Sequence, residues 1–107
     1  MELTEIIELI NEEELIKILK SLIRVPGHIN YQNQEKEISN LTANILKEEK
    51  IETYMQEVAP DRLNVIGKIK GSGNGKSLAL NGHLDTVPPN DNMKNYEPKV
   101  SSGKVHG

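Results

Sequence analysis

At 107 residues, with a formal net charge of −3 and a sequence pI near 5.6, the chain is the size of one domain and lacks the basic field that nucleic acid requires. It has no cysteine, which excludes disulfides and thiolate metal sites and fits a reducing compartment. Glu2 and Glu5 stand where a basic leader would be and no long apolar run follows, so neither a signal peptide nor a membrane span is expected and the cytoplasm is the expected location.

The first elements in chain order are helical. Leu3, Ile6, Ile7 and Ile10 recur at helical spacing, as do Leu15, Ile18, Leu19, Leu22 and Ile23. Asn11 with Glu14 has the form of a capping box, placing a new helix start between the two runs, and Pro26-Gly27 ends the second. After a polar loop from His28 to Asn33, the residues Ile38, Leu41, Ile45 and Leu46 define a third amphipathic helix reaching about Lys50. Its charged run Lys47-Glu48-Glu49-Lys50, like Glu12-Glu13-Glu14, reads as a solvated helix surface rather than a docking patch.

The pattern then turns to short β-prone stretches, Ile51–Val58, Leu63–Lys70 and Ser77–Gly82, separated by Ala59-Pro60-Asp61-Arg62 and by Gly71–Lys76. Links of this length are too short for helical crossovers, so consecutive strands are expected to be antiparallel neighbours in a meander. The run Gly71-Ser72-Gly73-Asn74-Gly75-Lys76-Ser77 has a superficial likeness to a phosphate loop. Lys70 occupies the place of that pattern's first glycine and a strand rather than a helix is expected next, so a flexible hairpin turn is the better reading. Beyond Pro88-Pro89 the chain is expected to be irregular to about Pro98, with Lys99-Val100 and Lys104-Val105-His106 pairing across Ser101-Ser102-Gly103. With aromatics limited to Tyr31, Tyr54 and Tyr96, the core rests on Ile, Leu and Val, each contributing roughly 1.5–3 kcal/mol when fully buried.

The stretch Leu78-Ala79-Leu80-Asn81-Gly82-His83-Leu84-Asp85-Thr86-Val87-Pro88-Pro89 carries the chemistry. Alternate side chains of an extended chain share a face, so His83 and Asp85 can project together while Leu84 turns toward the core. A neutral imidazole is a common metal ligand, and a neighbouring carboxylate can fix its tautomer. On spacing alone a His-x-Asp pair is weak, since it arises by chance and a histidine at a strand end is more often a hydrogen-bonded polar residue than a ligand.

The flanking residues add to that reading. Asn81-Gly82-His83-Leu84-Asp85-Thr86-Val87-Pro88 resembles the first metal-binding motif of the dinuclear zinc hydrolases that include acetylornithine deacetylase, succinyl-diaminopimelate desuccinylase, aminoacylase and carboxypeptidase G. Leu22-Ile23-Arg24-Val25-Pro26 is similar to that family's first helix end, Arg62-Leu63-Asn64-Val65-Ile66-Gly67 to its second strand, and Gly103-Lys104-Val105-His106-Gly107 to the start of its next motif, so the resemblance runs from about Leu15 to Gly107. It implies an α/β fold: the N-terminal part of a zinc-peptidase-like three-layer α/β/α catalytic domain, with two or three helices followed by a strand meander. Residues 1–107 would then be an incomplete portion of that domain.

The resemblance further implies that His83 ligates one of two zinc ions, with cobalt as a possible substitute, and that Asp85 orients the ligand imidazole. The complete enzyme would be a homodimer hydrolysing an amide bond of an N-acyl amino acid or small peptide, with no nucleic-acid or membrane partner. The family's metal-bridging aspartate, paired glutamates and final histidine would lie downstream of Gly107. A catalytic zinc typically needs about three protein ligands, so the isolated chain is expected to be inactive. His28 is expected to be a surface polar residue and His106 to fill a packing position where relatives carry an aromatic. Gly27 stands where the family often has serine, while Tyr96 and Lys99 stand near positions of Trp and Phe. The alternative reading is a non-catalytic binding or assembly module, such as one half of a split enzyme. A downstream reading frame that continues through Arg-Gly-x-x-Asp distinguishes the two.

Overall fold

A computed structural model of the chain describes residues 1–89 and 96–107, which form three helices and two antiparallel strand pairs, a mixed α/β architecture. The chain divides into two compact units, one of residues 26–88 and one of residues 1–25 with 89–107.

The unit of residues 26–88 holds the better-packed core. Helix α3 (Lys36–Glu48) lies against the hairpin of β1 (Glu52–Ala59) and β2 (Arg62–Lys68). Its helical spacing turns Ile38, Ser39 and Ala43 inward, and all three are buried. Ser39 is fully enclosed, and its hydroxyl donates to the Leu63 carbonyl at 3.1 Å, so a polar side chain is accepted in the interior because it stitches the helix to the strand. The helix ends as expected near Lys50, which takes a positive φ of 59°. The amide of Lys50 then donates to Lys47 and that of Ile51 to Leu46, satisfying carbonyls the helix leaves free.

The strands pair antiparallel from Glu52 opposite Lys68 to Ala59 opposite Arg62, with an irregularity between Glu57 and Ala59. Pro60 and Asp61 make the turn, and Asp61 adopts φ 61°, a conformation its short polar side chain tolerates. Alternation then sends Thr53, Met55, Leu63 and Val65 to the half-buried side and leaves Tyr54, Asn64 and Ile66 exposed.

The meander stops at two strands. Ser77–Gly82 forms no strand, and Leu78 and Leu80 are 84% and 91% exposed. The alternation that suggested a third strand is present, but the glycine-rich segment before it contains only bends, with Gly73 at φ 129° and a short Gly75-to-Gly73 hydrogen bond of 2.6 Å. Such a segment does not impose the register that a tight hairpin turn sets, and a strand without a ladder partner has nothing to hold it. Gly71–Lys76 is thus neither a hairpin turn nor a phosphate loop.

In the other unit, α1 (Leu3–Glu8) and α2 (Glu12–Ile23) form where the two apolar periodicities lie. Asn11 caps α2 by accepting from the Glu14 amide at 3.1 Å. Neither helix has a buried residue, and Leu3, Ile7 and Leu15 are more than half exposed, so these stripes do not supply a core here. Strands β3 (Lys99–Ser101) and β4 (Lys104–His106) pair through a Ser102-Gly103 turn with both residues at positive φ. His106 is exposed rather than packed: period-two alternation turns the half-buried Val105 inward and leaves the imidazole outside, 3.4 Å from the Ser101 hydroxyl. Of the segment expected to be irregular before Pro98, positions 90–95 lie outside the described residues, and Tyr96–Pro98 is irregular. Among the described residues no helix is long and apolar enough to cross a membrane.

Candidate functional site

The end of the Leu78–Pro88 stretch is anchored although its beginning is not. The Thr86 amide donates to the Gly27 carbonyl at 2.9 Å, and Thr86 forms an isolated parallel bridge with His28. Gly27 is buried against Ile38 of α3. The loop after Pro26 therefore fixes the backbone next to Asp85 to the helix that forms the core of this unit.

In this extended backbone Leu84 is half-buried while His83 and Asp85 are exposed, the alternation expected of a period-two chain. The His83 Nδ1 lies 3.2 Å from the Asp85 carboxylate Oδ1 and 2.8 Å from the Asp85 carbonyl oxygen. A carbonyl can only accept, so in the neutral ring this contact favours the tautomer protonated on Nδ1, which leaves the lone pair on Nε2. No described residue hydrogen-bonds Nε2. This is the arrangement a metal-ligating histidine needs, with one nitrogen clamped by oxygen and the other available as a donor.

The pair borders a cleft of about 570 Å³ whose other walls come from α3 with its N-cap residue and from β2, including Glu35, Thr42, Arg62, Asn64 and Ile66. Arg62 and Glu35 form a two-pronged ion pair across this wall, with Nε to Oε2 at 3.0 Å and Nη2 to Oε1 at 2.7 Å. Glu35 is 6% exposed, so its carboxylate depends on this guanidinium for compensation. The hydrogen bonds that Arg62 donates to Glu35, then the Glu35 charge, raise the Arg62 pKa above its ordinary value, and the Asp85 carboxylate adds to the rise.

Sequence reasoning did not find Glu35 or Arg62 as site residues. Arg62 stood in a recognisable strand motif, but nothing in the spacing ties it to a glutamate 27 positions earlier. His28 is half-buried rather than a free surface group: its Nδ1 is 2.8 Å from the Ile29 carbonyl and its ring is 5.6 Å from that of Tyr31. Among the described residues, no group of three or more His, Cys, Asp or Glu side chains is placed to hold a metal ion. His83 and Asp85 thus fit one position of a metal site, with the imidazole as donor and the carboxylate behind it, and do not complete one.

Two curated proteins, the acetylornithine deacetylases of Aliivibrio fischeri strains MJ11 and ATCC 700601 / ES114, are each 39% identical to this chain over 62 residues. The match takes in 58% of this chain and 16% of either deacetylase, so the chain corresponds to about a sixth of the length of these relatives. No family model matches the chain. No solved structure matches it significantly.

Proposed function

We propose that the chain is the N-terminal part of the catalytic domain of a dinuclear zinc amidohydrolase, a three-layer α/β/α domain when whole, that cleaves the amide bond of an N-acyl amino acid or small peptide. The observation that carries this reading is the His83–Asp85 clasp at the rim of a cleft, with Nδ1 held at 3.2 Å from a carboxylate and Nε2 left as a donor. The partial similarity to two acetylornithine deacetylases supports the same reaction class and makes N-acetylornithine the first substrate to try.

His83 would hold one metal, and Asp85 would keep the Nδ1 proton in place and the ring oriented, which strengthens an imidazole as a ligand. Bound zinc would supply polarisation of the scissile carbonyl and a water acidic enough to act as a nucleophile near neutral pH. The remaining ligands and the general base come from downstream sequence in this reading, so the 107-residue chain by itself is inactive.

The test is amide hydrolysis by the product of the complete reading frame, assayed on N-acetylornithine and on N-succinyl and dipeptide substrates. Zinc-dependent turnover that is lost in His83→Ala is the expected result. Full turnover in that variant contradicts the assignment.

A further inference from the structure

The chain contains two Asn-Gly steps, Asn74-Gly75 and Asn81-Gly82, and both lie in exposed stretches outside any helix or strand. An asparagine before glycine is open to attack by its own backbone, because the following residue has no side chain to shield its amide nitrogen from the asparagine's amide carbon. The two steps differ in what holds them. The Gly75 amide is engaged, donating to the Gly73 carbonyl at 2.6 Å. The Gly82 amide donates to no described residue, and the Asn81 side chain has no hydrogen-bond or ionic partner among the described residues. No ladder fixes the backbone before the step, where Leu80 is 91% exposed, and the first backbone hydrogen bond after it is that of Thr86 to Gly27.

We propose that Asn81-Gly82 is a site of spontaneous covalent modification and the faster of the two Asn-Gly steps to react. The Gly82 amide nitrogen loses its proton and bonds to Cγ of Asn81, and the side-chain nitrogen takes up a proton and leaves as ammonia. Water then opens the resulting cyclic imide at either carbonyl. Breaking the bond to Cγ leaves an aspartate on the ordinary backbone. Breaking the bond to the main-chain carbonyl carbon leaves an isoaspartate, with the chain running through Cβ and Cγ and the former carbonyl now a carboxylate. The net reaction consumes one water, releases one ammonia and needs no other reactant.

Either product adds a negative charge at a residue that borders the cleft, two positions before His83. The isoaspartate also inserts one backbone carbon, which puts Leu78 and Leu80 out of their period-two phase with Leu84. The proposal stands apart from the hydrolase reading: exposure, an unengaged amide and a missing ladder carry it whether or not His83 takes a metal.

Incubating the purified chain at physiological temperature in mildly alkaline buffer and digesting it with trypsin follows both steps at once, since cleavage after Lys76 puts them in different peptides. The peptide beginning at Ser77 is expected to gain the mass of an amide turned into a carboxyl several-fold faster than the peptide ending at Lys76. Fragmentation should place the change at Asn81 rather than at Asn90 or Asn92 of the same peptide, and isoaspartyl methyltransferase should label it. Gly82→Ala tests the route. A Cβ at position 82 meets nothing within 4 Å and the backbone there is not left-handed, so the fold is kept while the new methyl crowds the attacking nitrogen. Conversion of Asn81 should then slow several-fold, with that of Asn74 unchanged.

An Asn81 that stays intact, or conversion of Asn74 at an equal or greater rate, overturns the proposal. Aspartate without isoaspartate at position 81 does so too, since it would mean direct hydrolysis without the cyclic imide. Undiminished conversion in Gly82→Ala, with the amide signals of Ser39 and Leu63 unmoved, is equally fatal.

Discussion

Gly27 is the point where the loop after Pro26, helix α3 and the backbone next to Asp85 meet, and replacing it by alanine perturbs all three. A Cβ there would lie 2.8 Å from Ile38 Cγ2, 3.4 Å from Ile38 Cβ and 3.7 Å from the Leu84 carbonyl oxygen. The nearest atom is a methyl on the β-carbon of a side chain only 4% exposed, so it cannot swing aside as the tip of a flexible chain would. Overpacking of this kind costs roughly 1–3 kcal/mol. Restricting the unfolded chain returns about 0.4–1 kcal/mol. Gly27→Ala is therefore expected to lose about 1.3 kcal/mol net at the midpoints of these ranges, and at most about 2.6 kcal/mol.

Ile38→Leu moves the branch away from the β-carbon and, being volume-conserving, costs less than about 1.5 kcal/mol alone. The two changes together should be less damaging than their sum, with a coupling of at least about 0.5 kcal/mol. Urea unfolding followed at the α3 amide signals by NMR measures all four corners of the cycle. Full stability in Gly27→Ala, or strict additivity with Ile38→Leu, refutes the contact as the reason for glycine at this position.

Other perturbations follow from the same packing. Ser39→Ala removes the hydroxyl that bonds to Leu63 and should cost about 0.5–1.5 kcal/mol in urea unfolding, since the Leu63 carbonyl loses a partner. Arg62→Ala should destabilise more than Glu35→Ala, because the first strands a buried carboxylate while the second leaves a half-exposed guanidinium that water can solvate; the reverse order in thermal unfolding argues against the pairing described. Brief trypsin digestion should cut first after Lys70 or Lys76, in the exposed bends between β2 and the His83 segment, leaving α3 with β1 and β2 protected, and mass spectrometry showing first cleavage within α3 contradicts that map.

Local structure was legible wherever one short-range signal decided it. Helical periodicity with an Asn11 cap placed α2, apolar spacing with a charged outer surface placed α3, and the Pro60-Asp61 and Ser102-Gly103 turns placed both hairpins. The alternation of His83, Leu84 and Asp85 gave the shared face of the pair. What sequence could not supply was pairing across distance. Ser77–Gly82 has the pattern of a strand, yet a strand exists only with a partner, and the flexible glycine run before it does not bring one. Glu35 reads as one more acid at the edge of a polar loop, and only the fold shows it buried on Arg62. The inward expectation for His106 failed for a related reason, since a one-residue choice of phase decides which side of a hairpin a residue takes.

Calorimetric zinc titration of the purified chain beside His83→Ala and Asp85→Ala bears most directly on the claim that His83 and Asp85 are one donor and its orienting carboxylate from a larger metal centre. The expected outcome is one weak site in the unaltered chain, abolished in His83→Ala and weakened about 10–100-fold in Asp85→Ala. Zinc binding that is undiminished in His83→Ala, or a tight two-zinc site in this chain alone, contradicts it.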